Sequence, residues 1–248
     1  MMKLTFDMHT HTTYSHGKAT LEEMVEEARR QGLRALCISD HGRSHPLYGV
    51  KKKDFKKMRE ENDALNEKYD DIDLYLSVES NIIGGDGTID IQEEELQYCD
   101  WIYAGYHYVY IPASFHDLIF FTGRNYLSYV CPWMRKKTKA LNTQTYCNMM
   151  DKYDLKMITH PGDKCPIDIE VVGKKAAEKG VILEINPRHS HLNVAELKKI
   201  LPFGGKFAIN SDAHTLAELG SVAKGIAIAI EAKVPIDRIV NCVLEKTK

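Results

Sequence analysis

The placement of histidine constrains this chain more than any other feature. Seven of the eleven histidines, His9, His11, His16, His41, His107, His160 and His214, lie at or a few residues past the end of a short apolar run of strand length. Histidines used only for packing have no reason to gather there. These runs alternate with longer amphipathic segments, the rhythm of repeated β-α units around a parallel sheet. Seven strands are expected, at residues 3–7, 34–39, 73–78, 101–106, 155–159, 181–185 and 206–210. Thr20 reads as the cap of a helix carrying Leu21, Met24, Val25 and Ala28 on one face and ending at Gly32. Further apolar stripes fall on Phe55, Met58 and Leu65, on Ile169, Val172 and Ala176 ahead of Gly180, and on Val194, Leu197 and Leu201. A last one falls on Ile236, Ile239, Val240, Val243 and Leu244. The GGDG stretch at 84–87, between Ile82-Ile83 and the alternating Ile89 and Ile91, reads as a tight hairpin.

Composition excludes several classes. With 248 residues, 44% hydrophobic and 27% charged, the chain can build an ordinary core, and no linker divides it, so one domain over 1–248 is expected. Lys plus Arg at 33 against Asp plus Glu at 35 gives a net charge of -2, with no global field to recruit nucleic acid or a membrane. No apolar run approaches the roughly 20 residues of a membrane span, and the first residues lack the pattern of a signal peptide. A cytoplasmic protein is expected. Its six cysteines, Cys37, Cys99, Cys131, Cys147, Cys165 and Cys242, contain no CxxC pair and read as reduced thiols.

The strand ends carry the chemistry. His9 and His11 in DMHTH stand at i and i+2, so an extended backbone projects both imidazoles to one side. His16 follows in YSHG, His41 in SDHG, Glu79 in VES, His107 in AGYH and His160 in ITHPG, while Asp212 and His214 repeat the i, i+2 spacing in NSDAH. In a parallel barrel the C-terminal ends of the strands converge on one rim, which would bring these nine residues together. So many imidazoles and carboxylates in one place need cations to satisfy them. Nitrogen-rich ligands with carboxylates favour zinc, with manganese or iron as alternatives, and nine ligands suit three ions. Each motif alone is weak, because a single histidine is more often a hydrogen-bonded structural residue. The ordered combination is what points to metal.

In that order the motifs DMHTHTTYSHG, SDHG, VESNI, AGYH, ITHPG and NSDAH resemble those of the PHP family, the metal-dependent phosphoesterases named for polymerase and histidinol phosphatase. The resemblance covers nearly the whole chain and is closest to the small stand-alone phosphatases with three zinc ions. It implies an α/β fold, a distorted (β/α)7 TIM-like barrel, in agreement with the strands counted from the sequence. It also implies ligand sets: His9, His11, Glu79 and Asp212 for one metal, Glu79 bridging to a second held by His107 and His160, and His16, His41 and His214 for the third. Many relatives carry Asp near position 16, so His16 is the least secure transfer. Asp7 and Asp40, near ligands, read as acceptors that orient imidazole N–H groups, a solvated or turn-capping carboxylate being the ordinary alternative.

Metal ions lower the pKa of bound water from 15.7 to about 7, so a metal-bound hydroxide is the expected nucleophile for hydrolysis of a small phosphomonoester. No side chain is assigned as general acid. Arg188, just past the sixth strand, is the candidate for holding substrate phosphate, its ordinary alternative being a surface loop arginine. His189, His191, Arg43 and His45 are weaker candidates, and Glu184 and Asn186 are either supporting or substrate-facing groups. The aromatic and basic stretch at 108–141 exceeds ordinary loop lengths and lies on the same rim, where a lid, a specificity element, an oligomer interface or a partly helical insert would fit. Competing readings are a nuclease or phosphodiesterase acting on nucleotides or DNA ends, and a metal-binding regulatory module without catalysis. An amidohydrolase ranks lower, because no strand ends in lysine. Oligomeric state is not legible from the sequence.

Overall fold

The computed structural model describes residues 1–189 and 191–245. Seven parallel strands hydrogen-bond in chain order: β2 (Phe6–Thr10), β3 (Ala35–Ile38), β4 (Asp73–Asn81), β5 (Trp101–Gly105), β6 (Met157–Ile158), β7 (Ile182–Ile185) and β8 (Phe207–Ile209). The sheet curls into a nearly closed barrel, consistent with the distorted (β/α)7 fold. Every expected strand is present, although β6 shrinks to two residues. The expected strand at 3–7 divides. Its start becomes β1 (Met2–Leu4), which leaves the barrel to pair antiparallel with β9 (Cys242–Leu244), and its end runs into β2.

Helices α1 (Leu21–Arg30) and α2 (Asp54–Lys68) follow the first two barrel strands, and the short α3 (Glu93–Leu96) precedes β5. Thr20 caps α1 through a reciprocal box, accepting from the Glu23 amide while the Glu23 carboxylate accepts from the Thr20 amide at 2.8 Å. The segment after β5 folds as α4 (Phe115–Asp117), a π-helical stretch (Leu118–Gly123), α5 (Arg124–Val130) and α6 (Arg135–Lys152). The 108–141 stretch is therefore largely helical, and its basic run opens α6. The GGDG hairpin is present, with Ile82 bridged to Ile89 and Gly87 at φ 88° pressed against α6. Helices α7 (Ile169–Lys179), α8 (Val194–Ile200) and α9 (Ala223–Glu231) complete the outer layer. Among the described residues no helix is long and apolar enough to cross a membrane.

The helix expected over 236–244 is a correction. Ile236–Arg238 makes one 3-10 turn, Ile239 bridges β8, and Cys242–Leu244 is strand β9. The reason lies in the barrel seam. β8 and β2 do not form a ladder; instead the Asn241 amide donates to Phe6 O (2.9 Å) and Ile209 O (2.8 Å), and its carbonyl accepts from the Ile209 amide at 3.0 Å. Backbone groups buried at a seam must be satisfied, and here the C-terminal segment supplies the partners that a helix would withhold.

The barrel interior has two halves. Met8, Cys37, Tyr103, Met157, Ile182 and Ala208 form a buried apolar plug. One inward step further along the strands stand Glu79, Gly105, Thr159 and Glu184, all toward the C-terminal ends. Burial pushes the Cys37 thiol up, as suits a small core side chain rather than a nucleophile.

Replacing Asn241 by alanine removes these seam contacts and leaves buried backbone groups without partners. A loss of about 2–4 kcal/mol is expected, seen as a fall in Tm of about 5–15 °C. An unchanged melting curve would show that the seam is held by other contacts.

Candidate metal centre

All nine residues singled out at the strand ends converge, and the geometry around the first two begins with an irregularity. Met8 joins the apolar plug while His9 meets Glu184 at 2.7 Å, so two consecutive residues turn inward. Strict alternation forbids this. A shift in strand register between Asp7 and Thr10 accommodates it. The expected pairing of His9 with His11 then holds, their Nε2 atoms lying 3.1 Å apart.

Around that pair sit two carboxylate oxygens. His9 Nε2 is 3.4 Å from Glu79 Oε2 and 3.7 Å from Asp212 Oδ1, and His11 Nε2 is 3.7 Å and 3.2 Å from the same atoms. Donors bound tetrahedrally at zinc distances lie about 3.3–3.6 Å from one another. The observed spacing brackets that range. The other carboxylate oxygen, Glu79 Oε1, faces His160 Nε2 at 2.9 Å and His107 Nε2 at 3.5 Å. Donor atoms within 4.8 Å of one another also group as His11, His41 and His214, and as His41, Glu79 and His107. His16 joins none of these sets, but its ring lies 4.8 Å from that of His41 and 4.1 Å from that of His214.

Several of these atoms have no protein partner among the described residues. His41 Nδ1 and Glu79 Oε2 are 2.9 Å apart yet off hydrogen-bonding geometry, and both are left unsatisfied, as are His11 Nδ1 and His160 Nδ1. Such groups are costly when buried, and a cation shared by His41 Nδ1 and Glu79 Oε2 answers both of those atoms at once. Charge points the same way. Burial, reinforced by neighbouring imidazoles, pushes His11 well below its usual range and His16 down to about 3. His107 falls to about 4, because burial outweighs the pull of Glu79. His9 moves oppositely: burial is overcome by Glu184, Glu79 and Asp212, which draw it well above the imidazole range. The neutral imidazoles of His11, His16 and His107 beside the ionised Glu79 and Asp212 suit a donor set for a divalent cation.

A second layer fixes these donors. Glu184 accepts from His9 Nδ1 and, at 2.9 Å, from Asn210 Nδ2; its second oxygen accepts from the His160 amide at 2.8 Å and Asn186 Nδ2 at 3.1 Å. With Nδ1 donating to Glu184, His9 turns Nε2 toward the cluster. His214 likewise donates Nδ1 to the Asp212 carbonyl at 2.9 Å. The expectation for Asp7 and Asp40 needs correction. Asp40 accepts from the Thr12 amide and the Thr12 and Ser15 hydroxyls, and Asp7 from the Ser211 and Gly220 amides, so both pin loops rather than imidazoles.

Arg188 sits on the rim, where its Nη1 donates to the Asp212 carbonyl at 2.8 Å and lies 3.2 Å from Glu218. His189, ranked lower from sequence, is nearer the cluster. Its Nε2 is 3.4 Å from Asp212 Oδ2, its Nδ1 is 3.1 Å from Asp163, and its ring lies 4.7 Å from that of His160. Although burial opposes it, the bonds to Asp163 and Asp212 raise His189 to about 9. His45 stacks on Tyr48, with both ring nitrogens buried and unsatisfied.

A parallel barrel whose strand ends gather histidines and carboxylates defines a metal-dependent hydrolase. The PHP domain family model matches residues 7–188, and the chain belongs to that family. It is a metal-dependent phosphoesterase. A "Probable phosphatase" of Caldanaerobacter subterraneus subsp. tengcongensis is 30% identical over 257 residues, covering 100% of this chain and 91% of the relative. Another of that description, from Shewanella sediminis, is 29% identical over 97% of this chain and 90% of its own. Among solved structures, histidinol phosphate phosphatase from Lactococcus lactis, complexed with zinc, L-histidinol and phosphate, superposes with a TM-score of 0.60 at 13% identity. That match covers 92% of this chain and 93% of the other, and supports the fold.

Gly105 shows how tightly the centre is packed. A Cβ there would lie 2.3 Å from Thr159 Oγ1, 2.9 Å from His160 and 3.3 Å from Glu79 Oε1. Gly105→Ala is therefore expected to weaken divalent metal binding on the order of tenfold or more while the far-ultraviolet circular dichroism is retained. Unaltered affinity in a chelator competition would contradict this packing argument.

Proposed function

We propose that this phosphoesterase hydrolyses a small phosphomonoester at three divalent ions, zinc being favoured by the nitrogen-rich donors, with manganese and iron also compatible. The observation that carries the reading is the 3.1–3.4 Å spacing among His9 Nε2, His11 Nε2, Asp212 Oδ1 and Glu79 Oε2 at its closest contacts, with Glu79 Oε2 and His41 Nδ1 unsatisfied there among the described residues. His9, His11, Glu79 and Asp212 would hold one ion, Glu79, His107 and His160 a second, and His16, His41 and His214 a third. The geometry also supports a share for His11 and His41 in neighbouring positions. Bound there, divalent ions supply Lewis acidity toward phosphate and an activated water at neutral pH.

The chain's own groups do the rest. Glu79 offers one oxygen to each side of the cluster, and the Thr159 hydroxyl holds it by donating to Oε1 at 2.7 Å. Glu184 keeps the protonated nitrogen of His9 turned away from the centre. The apolar plug closes the barrel below, so substrate and water arrive from the rim. Arg188 uses only Nη1 in its contacts with Asp212 and Glu218, and we assign the rest of its guanidinium to a substrate phosphate oxygen. The substrate on this reading is a small phosphorylated metabolite. Histidinol phosphate is the first to test, since the Lactococcus lactis enzyme was solved with L-histidinol and phosphate. The proposal treats 1–248 as one domain and puts the enzyme in the cytoplasm, which its unpaired cysteines support.

Phosphate release from p-nitrophenyl phosphate and from histidinol phosphate tests this reading. Chelator-stripped protein should be inactive, regain activity with zinc or manganese, and lose on the order of a thousandfold in kcat/KM with Glu79→Gln. Full activity in metal-free protein, or in the Glu79 variant, would refute it.

A further inference from the structure

One face of the insertion is more apolar than contact with water alone requires. Ile119 and Phe120 from the π-helical stretch, Leu127 from α5, and Trp133, Met134 and Leu141 line a groove of about 410 Å³. Trp133 is 81% exposed, Phe120 57%, Leu127 51%, Ile119 45% and Leu141 39%. Met134, Lys137, Thr138 and Leu141 fall at i, i+3, i+4 and i+7, so one side of α6 and of the turn before it faces the groove.

The area suits a particular occupant. Aromatic side chains bury about 150–250 Å² each, and aliphatic ones roughly 60–120 Å² at the usual free energy per area. At their exposures these five side chains leave roughly 300–500 Å² of apolar surface around the groove. Phe115 and Val130, one helical turn from Ile119 and Leu127 and 75% and 74% exposed, bring the total to roughly 450–750 Å². A standard interface takes about 600–1,000 Å² from each partner, and a homodimer interface is about 65% apolar, so a stable dimer needs roughly 400–650 Å² of apolar surface per copy. The two figures coincide.

Charge disfavours the other occupants. Arg124 lines the groove but turns inward, donating Nη2 to buried Asn142 at 3.2 Å with its guanidinium 5.9 Å from the ring of buried Phe121. Lys137 is then the one remaining charge in the lining. Arg135, Lys136 and Lys139 fall on other sides of α6 by helical spacing. A single ammonium is too little to recruit an anionic membrane, which takes a cluster of about four or more cations. An identical surface fits better, because each copy offers both a groove and an exposed tryptophan ring to fill it, the reciprocity of a two-fold contact. We infer that this face of the insertion is the interface of a homodimer, with Trp133 of each copy seated against the groove of the other. The inference does not depend on the phosphatase reading.

Sedimentation equilibrium of the full, metal-loaded chain tests this. A species of twice the chain mass should form, dissociating on dilution with a constant in the micromolar range or tighter. Raising sodium chloride to about 0.5 M should leave it intact, because salt screens attraction between charges but not apolar contact. Trp133→Glu, with its fold checked by circular dichroism, should raise the dissociation constant on the order of thirtyfold or more. The chain has two tryptophans, so in a Trp101→Phe background the emission of Trp133 alone can be followed, and it should shift to the blue as concentration rises. A monomer at every concentration, a dimer whose affinity Trp133→Glu leaves unchanged, or a Trp133 emission that stays red in the dimer would overturn the inference. So would binding of anionic vesicles or of an acidic peptide at Trp133 in a chain that remains monomeric.

Discussion

The structure turns on one unbalanced account of buried polar groups. Toward the C-terminal ends of the strands the barrel interior changes from apolar side chains to imidazoles and carboxylates, and these do not fully satisfy one another. Glu184 is matched in full, with four donors on its two oxygens. Glu79 is not: Oε1 accepts from Thr159 and His160, while Oε2 sits among His9, His11 and His41 without a hydrogen bond. A carboxylate buried in that condition is expensive unless a cation shares it. On our proposal, the contrast between two glutamates on one barrel separates the group that supports from the group that would bind.

Backbone geometry is subordinated to the same end. His160 and Asp212 adopt φ values of 28° and 53°, in the left-handed region that disfavours residues with a side chain. Such conformations persist where surrounding contacts hold them. Glu184 holds the His160 amide, and Arg188 holds the Asp212 carbonyl. Gly105 stands where any Cβ would collide with Thr159. The register shift in β2 has the same effect, turning His9 inward beside Met8. Far below, Asn241 joins the two ends of the sheet, so the rim is built on a barrel whose last gap is closed by a side chain.

Much of this was legible because a parallel barrel turns a sequence position, the end of a strand, into a place in space. His41, Glu79, His107 and His160 each close an expected strand, and their convergence follows from topology alone. The supporting contacts were harder to read. Asp40 stands next to His41 and Asp7 two residues before His9, where unbroken alternation would put it on the side of His9; the register shift between Asp7 and Thr10 breaks that alternation, and both carboxylates turn to loop backbone. Glu184, from another strand, takes the imidazole instead. Spacing at 236–244 fits a helical stripe, but the backbone there is drawn into the seam and into β9, where pairing outweighs periodicity. α9 was missed because Ile226, Ile228 and Ile230 alternate with alanine, a strand-like pattern, while Gly225 lets the helix approach within contact of Ile209. α6 offered no apolar stripe, since it buries Thr138, Asn142, Thr143 and Thr145 alongside Tyr146 and Met149.

The insertion gives the rim its individual character. Its helices place aromatic and cationic groups beside a centre whose ligand motifs occur in the order of the family, so substrate choice is to be sought in that wall rather than among the ligands. All of this depends on the cluster holding metal. Elemental analysis of protein purified without chelators or added metal, normalised to chain concentration, tests that most directly. The account predicts close to three divalent ions per chain, with zinc dominant, and fewer when Glu79 is replaced by glutamine. Metal at trace level that does not rise after incubation with zinc or manganese would contradict it.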